Sequence, residues 1–246
     1  MSAKAGKPLV QTDAGAYIAW SGADQPELAT EGLGCGLLVL RPLGFALPHY
    51  ADSNKFGYVL GGSGVAGVLP VDAKERVVRL KAGDVIAVRT GDVSWWYNDN
   101  DGHADDLSIL FIGDTGRALS PGDISYFFLA GGNSVLSGLD AGLLTRAWPA
   151  QAVYVARGSA RVQVSSAAGD TLLLDEEVPA GSSFVVPRFA VALVAAGADG
   201  AEWVSLIKSA RPAVEHLTGE GSIFGGLTPQ VVQASLKVAP ELVKLL

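Results

Sequence analysis

The chain repeats itself, and that repeat limits its architecture more than any other feature. LAGGNSVLSGLDAGLLTRAW, residues 129–148, aligns without gaps on LTGEGSIFGGLTPQVVQASL, residues 217–236: Leu129 falls on Leu217, Gly131 on Gly219, Ser134 on Ser222, Gly138 on Gly226 and Leu139 on Leu227. Upstream, YVLGGSG from Tyr58 matches YVARGSA from Tyr154, and KAGDVIAVRT matches PAGSSFVVPR through Gly83 and Gly181. Self-similarity of this kind predicts two related structural units in one chain. The copies are unequal. The first spends residues 15–57 ahead of Tyr58, whereas the second has only Pro149 to Val153 between Trp148 and Tyr154. A half-sheet with open edges cannot satisfy its backbone groups or cover its inner face alone. The second half is therefore expected to pack on the first and on a neighbouring subunit, or to lack an internal segment of the natural chain.

Strand signals fill both copies. Short apolar stretches such as CGLLVL, FGYVL, VVRL, DVIAV, LSILFI, AVYVA, ARVQV, TLLLD, SSFVV, AVALVA and EWVSLI are separated by Gly, Asp, Asn and Pro. Evenly spaced short strands with turn residues between them predict an all-β sandwich or barrel. Two segments read as helices. Asp140 can cap LDAGLLTRAW, and Thr228 followed by Pro229 is an N-cap and first-turn pair opening TPQVVQASL, with APELVKLL as a terminal turn. The chain divides on this reading into an N-terminal arm (1–14), a first barrel with a helical extension (15–148) and a shortened second unit with C-terminal helices (149–246).

Two glycine-framed stretches lie between Leu47 and Asn98. LPHYADSNKFGYVLGG places His49, Ala51, Lys55 and Gly62, and GDVIAVRTGDVSWWYN places Gly83, Arg89, Gly91, Ser94 and Asn98. This spacing resembles the paired motifs of the cupin barrel, where His-x-His, a Glu and a later His grip a metal ion. Three of those four positions have changed: Ala51 replaces the second His, Lys55 the Glu and Ser94 the last His. Gly44 also sits one residue too close, and Arg89 replaces a Pro. A lone imidazole cannot do the work of a three- or four-ligand site, and a lysine ammonium has three donors and no lone pair. No catalytic, cofactor-binding or metal-ligating residue is therefore expected. His49 should be buried with its ring nitrogens satisfied by neighbours, and Tyr50, Trp95 and Trp96 should be core or barrel-lining aromatics. In the second copy Ala192 stands where Ser94 stands, and no histidine precedes Tyr154.

Composition removes other classes. The 246 residues are 49% hydrophobic with mean hydropathy +0.31, enough for a sizeable core. No run of 18 apolar residues reads as a membrane span. Net charge −7, without a cluster of Lys or Arg, argues against nucleic acid or anionic membrane as partner. The single cysteine, Cys35, excludes an internal disulfide and suits a reducing compartment. MSAKAGKPLVQTDAG carries two lysines with no apolar segment behind them, so a cytosolic or nuclear site is expected, with a protein storage vacuole as the alternative if a leader precedes it. Gly62 to Gly67 spells GxGxxG, but VLPVDAKERVVRL behind it offers no helix to a pyrophosphate, so a β-turn is expected. His103 lies in the acidic run Asp99 to Asp106, which reads as a solvated turn, and with His216 completes the three histidines.

The succession GAYIAW, LPHYADSNKFGYVLGGSG, GDVIAVRTGDVSWWYN, FFLAGGNSVLSGLDAGLLTRAW, YVARGSARVQV, VPAGSSFVVPRFAVALV and SIFGGLTPQVVQASLKV resembles the two-cupin legumin-type seed globulins. It is most similar to the glutelin-like bicupins that are not processed as storage proteins are. The resemblance implies two jelly-roll barrels per subunit, each followed by helices that interlock with the next protomer in a trimer or hexamer, a nutrient-reservoir or structural role, and no catalysis. The chain departs from that family in having no Asn-Gly cleavage pair, one Cys, and only 6 Gln, 4 Asn and 10 Arg. Two other readings stand beside it. One is a binder of a small apolar ligand, with Tyr50, Trp95 and Trp96 lining the first cavity. The other is a divergent metal-dependent oxygenase or isomerase, which needs ligands this sequence lacks.

Overall fold

Alternation of buried and exposed residues decides where the strands lie. The computed structural model describes residues 3–71, 73–101, 105–137, 146–147, 150–166, 172–208, 217–219 and 222–243. The chain opens with β1 (Lys7–Thr12) and β2 (Gly15–Trp20), a short helix α1 (Pro26–Glu31), and then β3 (Leu33–Leu40), in which Gly34, Gly36, Leu38 and Leu40 face inward. There follow β4 (Phe45–Ala51), β5 (Asn54–Gly61), β6 (Ser63–Leu69), β7 (Arg76–Lys81), β8 (Val85–Val88), β9 (Val93–Tyr97), β10 (Leu107–Asp114) and β11 (Tyr126–Phe128). Period-two burial places one face of each strand against the core.

These strands build the first compact unit, Met1–Tyr126. One sheet has the order β1-β2-β3-β10-β5-β8, and the other β11-β4-β9-β6-β7. Leu38, Leu40, Val59, Trp96, Leu107 and Ile109 belong to the buried cluster of this unit. The hydroxyls of Tyr17 on β2 and Tyr126 on β11 meet at 2.6 Å, joining one sheet to the other.

The second unit, Phe127–Leu246, contains β12 (Arg146–Ala147), β13 (Gln151–Ser165), β14 (Leu174–Pro179), β15 (Ser183–Val186) and β16 (Val191–Ile207), then α2 (Ile223–Gly226), α3 (Pro229–Leu236) and α4 (Pro240–Val243). Its sheet runs β12-β16-β13-β14, with β15 on β13. Residue pairing reproduces the first unit. Lys55 opposes Val88 as Gln151 opposes Val186, and Val68 opposes Ser94 as Val164 opposes Ala192. By this register β13 corresponds to β5 and β6 together, and β16 to β9 and β10. β12 answers to a short piece of β4, since Arg146 opposes Ala192 as His49 opposes Ser94, and among the described residues of the second unit no strand answers to β1–β3.

The apolar stretches read from the sequence fall in or against strands, and the all-β duplicated architecture is as expected. Pro229 opens α3 as predicted, although the Thr228 side chain makes no capping hydrogen bond. The repeat is visible as a shared turn. Gly131 and Gly219 both hold positive φ (88° and 95°), and their carbonyls accept from Ser134 and Ser222 backbone N–H. Three features differ from the sequence reading. Helix α1 was hidden because it buries no side chain. Residues 1–14 include a paired strand, β1. The helix expected after Asp140 lies mostly outside the described residues, and Arg146–Ala147 within it is strand.

Candidate functional site

The four motif positions come together inside the first unit. His49 on β4 lies directly opposite Ser94 on β9, so the two glycine-framed stretches are brought side by side. His49, Ala51, Lys55 and Ser94 are all buried. The frame glycines Gly62, Gly83 and Gly91 take positive φ (75°, 93° and 85°). At Gly62 the requirement is also steric, since a Cβ there would come within 2.4 Å of the Asp106 carbonyl oxygen. Gly62 kinks the chain between β5 and β6, so the GxGxxG stretch is strand on both sides and not the expected β-turn.

His49 is buried and its ring nitrogens meet neighbours, as expected. Its Nδ1 lies 2.7 Å from the Leu47 carbonyl, which can only accept, so Nδ1 carries the proton. Nε2 is then an acceptor, and Ser94 Oγ donates to it over 3.5 Å. Burial first, and the charge of Lys55 second, lower the imidazole pKa to about 3. The ring is therefore neutral, and its edge packs on Tyr126 with centroids 5.3 Å apart.

Lys55 occupies the acidic position of the motif. Its Nζ lies 5.1 Å from the Tyr126 ring centre and 5.9 Å from that of Phe111. Burial pulls its pKa down to about 8, opposed by the negative charges of Asp52 and Asp92. Sequence reasoning passed over those two carboxylates, both buried. Asp52 accepts the backbone N–H groups of Leu119 and Ser125 at 3.0 Å each and the Ser53 hydroxyl at 2.8 Å. Asp92 accepts the N–H groups of Arg89 and Val71. An acidic residue at a strand end followed by turn residues was the available signal, and it reads equally well as a solvated turn.

Tyr50, Trp95 and Trp96 are core aromatics, as expected. Trp96 packs edge-on against Phe111 at 5.1 Å, while Trp95 Nε1 donates to Glu75 at 2.7 Å. Asn98 is structural: its Nδ2 donates to the Leu40 and Asp105 carbonyls, and its Oδ1 accepts from Asn100. In the acidic stretch Asp99 pairs with Arg79 at 2.7 Å. His103, His216 and Asp140 lie outside the described residues.

The four positions do not fit a metal ion. Ala51 has no donor, Lys55 offers N–H groups instead of a lone pair, and the free lone pair of His49 is turned to Ser94. Among the described residues no three of His, Cys, Asp and Glu come together as a metal would need. Among them, too, no helix is long and apolar enough to cross a membrane.

A fold of paired antiparallel sheets carrying two glycine-framed motifs on facing strands defines a cupin barrel, and the comparisons agree. The cupin family model matches residues 2–149 and again residues 142–244, so the chain belongs to the cupin family and carries it twice. Its curated relatives include 11S globulin seed storage protein 2 of Sesamum indicum, 36% identical over 89 residues (36% of this chain, 19% of the relative). Legumin A of Gossypium hirsutum is 35% identical over 89 residues (36% of this chain, 17% of the relative). The aligned region thus spans less than a fifth of either relative. Among solved structures, pumpkin seed globulin is 17% identical with a TM-score of 0.49, covering 98% of this chain and 94% of the other. The relatives correct one expectation. Seed storage globulins are normally held in protein storage vacuoles, which overturns the cytosolic or nuclear location inferred from the absence of an apolar leader. A start without an apolar segment was too little to set a compartment.

Proposed function

We propose that this protein is a non-enzymatic, oligomeric cupin of the seed storage kind, a nutrient reservoir or structural protein. The observation that carries the reading is the loss of ligand chemistry at the motif: Ala51, Lys55 and Ser94 fill the positions of three ligands, and the remaining His49 is tied to Leu47 and Ser94. Kinship with seed storage globulins supports it from a separate direction. In this reading a first barrel with its extension (15–148) is followed by a shortened unit (149–246). The helical segments after each unit join protomers into a trimer or hexamer. The exposed, proline-bounded surface of α3 and α4, with Pro229, Gln230, Gln233, Pro240 and Val243 around one shallow cleft, suits such a contact.

Light scattering on the eluting peak of a size-exclusion column tests the assembly, with a trimer or its multiple expected. A well-behaved monomer would sink the interlocking of helices. Metal analysis of the protein purified without chelator tests the chemistry: stoichiometric iron, manganese or zinc would overturn the non-enzymatic reading.

A further inference from the structure

The second unit is open where the first is closed. In the first unit β10 is paired along both edges, by β5 on one side and over its whole length by β3 on the other. Residues 201–207 of β16 take the place of β10, and among the described residues they pair with β13 alone. The missing cover leaves a mark inside the sheet too. Trp203 opposes Val155 as Ile109 opposes Val59, yet Trp203 is 37% exposed where Ile109 is fully buried.

The free edge presents backbone groups for pairing. Lys208 N–H donates to the Ala150 carbonyl at 2.9 Å, so by alternation Leu206 and Val204 also turn their backbone groups to β13, while Ile207, Ser205 and Trp203 turn theirs away. Val155, opposite Trp203, agrees, because its N–H and carbonyl are engaged by Ser182 and Gly181. An edge of this kind takes up a further strand unless something blunts it. β1, at the edge of the first unit's sheet, carries Pro8 and a register shift, whereas residues 203–207 contain no proline and pair with β13 without a shift.

Charge and symmetry choose the occupant. Laid antiparallel on a copy of itself about a two-fold axis at Ser205, the strand sets Glu202 against the partner's Lys208, Trp203 against the partner's Ile207 and Val204 against the partner's Leu206. Opposite charges then meet twice, and apolar residues meet on both faces of the sheet. Sliding the pair by two residues sets Glu202 against Leu206 in one direction and Lys208 against Val204 in the other, so the charges fix this register. Val204 and Leu206 are 67% and 74% exposed in the single chain and gain cover from the pairing. We infer that the open edge of β16 is the contact for a second copy of this chain, the two edges pairing antiparallel about Ser205 into one sheet continuous across the two-fold axis. This contact is separate from the helical one in the reservoir reading and does not depend on it.

The experiment is light scattering on the full chain over a range of concentrations, with charge variants at the edge. The mass should contain a factor of two: a dimer, or a hexamer where the helices also join protomers in threes. Glu202→Lys sets like charges together at both ends of the contact and should raise its dissociation constant about tenfold or more. Combining it with Lys208→Glu restores opposite charges between the copies and should recover the original mass. Both side chains are exposed, so neither change threatens the fold. Arg157→Ala removes the 3.7 Å pair that Glu202 makes within its own chain and should leave the mass unchanged. Hydrogen exchange reads the edge directly: the Trp203, Ser205 and Ile207 N–H groups should be protected in the assembled protein and exchange freely once Glu202→Lys separates it. An undiminished association in Glu202→Lys, no recovery in the double variant, or fast exchange at Ser205 in the assembled protein would overturn the contact. A dimer upholds it and counts against the helices, whereas a trimer or a monomer overturns it, so the two readings fail separately.

Discussion

The two units share a strand register and differ in what they enclose. Opposing residues match pair for pair between β5–β8 and β13–β15, and between β6–β9 and the corresponding stretch of β13–β16. The first nevertheless buries His49, Asp52, Lys55 and Asp92, whereas the buried polar residues described in the second are Gln151, Gln163, Ser165, Ser222 and Ser235, none of which titrates. Glycine turns and alternating apolar residues hold the register, and interior side chains are free to change behind them. The difference should make the stability of one half sensitive to pH and leave the other indifferent.

The largest expected effect is on packing. Trp96→Ala should cost about 3–5 kcal/mol in chemical denaturation, whereas Val162→Ala, at a fully buried position of the second unit, should cost about 2 kcal/mol. Near-equal losses would mean that the two cores are built alike after all.

The next contrast is in acid and alkali. The unfolded chain takes up a proton at His49 near pH 6.5, and the folded one only near pH 3, so stability falls as pH drops through that window, by roughly 5 kcal/mol, and levels off below it. Lys55 acts at the other end: with a folded pKa of about 8 against 10.5 unfolded, stability rises between pH 8 and 10.5 by up to about 3 kcal/mol. Lys55→Met should flatten the alkaline rise and His49→Gln the acid decline. Unfolding of the second unit, followed by hydrogen exchange in β13 and β16, should show neither slope. A decline of β13 protection between pH 6.5 and 3 that matches the first unit would erase the contrast.

Smaller effects sharpen it. Asp52→Ala leaves two backbone N–H groups and a hydroxyl without their acceptor, and should cost about 2 kcal/mol by urea titration. Gln151→Leu removes a buried amide whose Oε1 has no partner, and should change stability by about 1 kcal/mol or less, in the stabilising direction. A large loss there would show that the amide is satisfied in solution by something the fold does not display.

Much of this was legible in the sequence because it depends on local rules. Short apolar stretches between turn residues marked β3, β5 and β10, and the frame glycines marked turns where the backbone must adopt positive φ. The convergence of His49 with Ser94 followed from motif spacing. Other features depend on contacts far apart in the chain and left no local trace. Tyr17 and Tyr126 meet across 109 residues, and Asp52 reaches Leu119 and Ser125 across 67 and 73. The lost metal ligands could be read directly. The setting of the buried Lys55 ammonium could not, because only the fold brings it beside the charges of Asp52 and Asp92 and the ring of Tyr126.

β13 and β16 run 15 and 17 residues, against at most 8 for any strand of the first unit, and they pair along nearly their whole length. Gln151 opposes Ile207, so the outer ends of the two strands lie side by side, and a pull applied through them opens the perpendicular rungs one after another. The two register shifts, between Val155 and Arg157 and between Gly158 and Ala160, give this ribbon its places to bend. The longest ribbon of the molecule is thereby a zipper, whose rungs give way in sequence when its two outer ends are drawn apart by force.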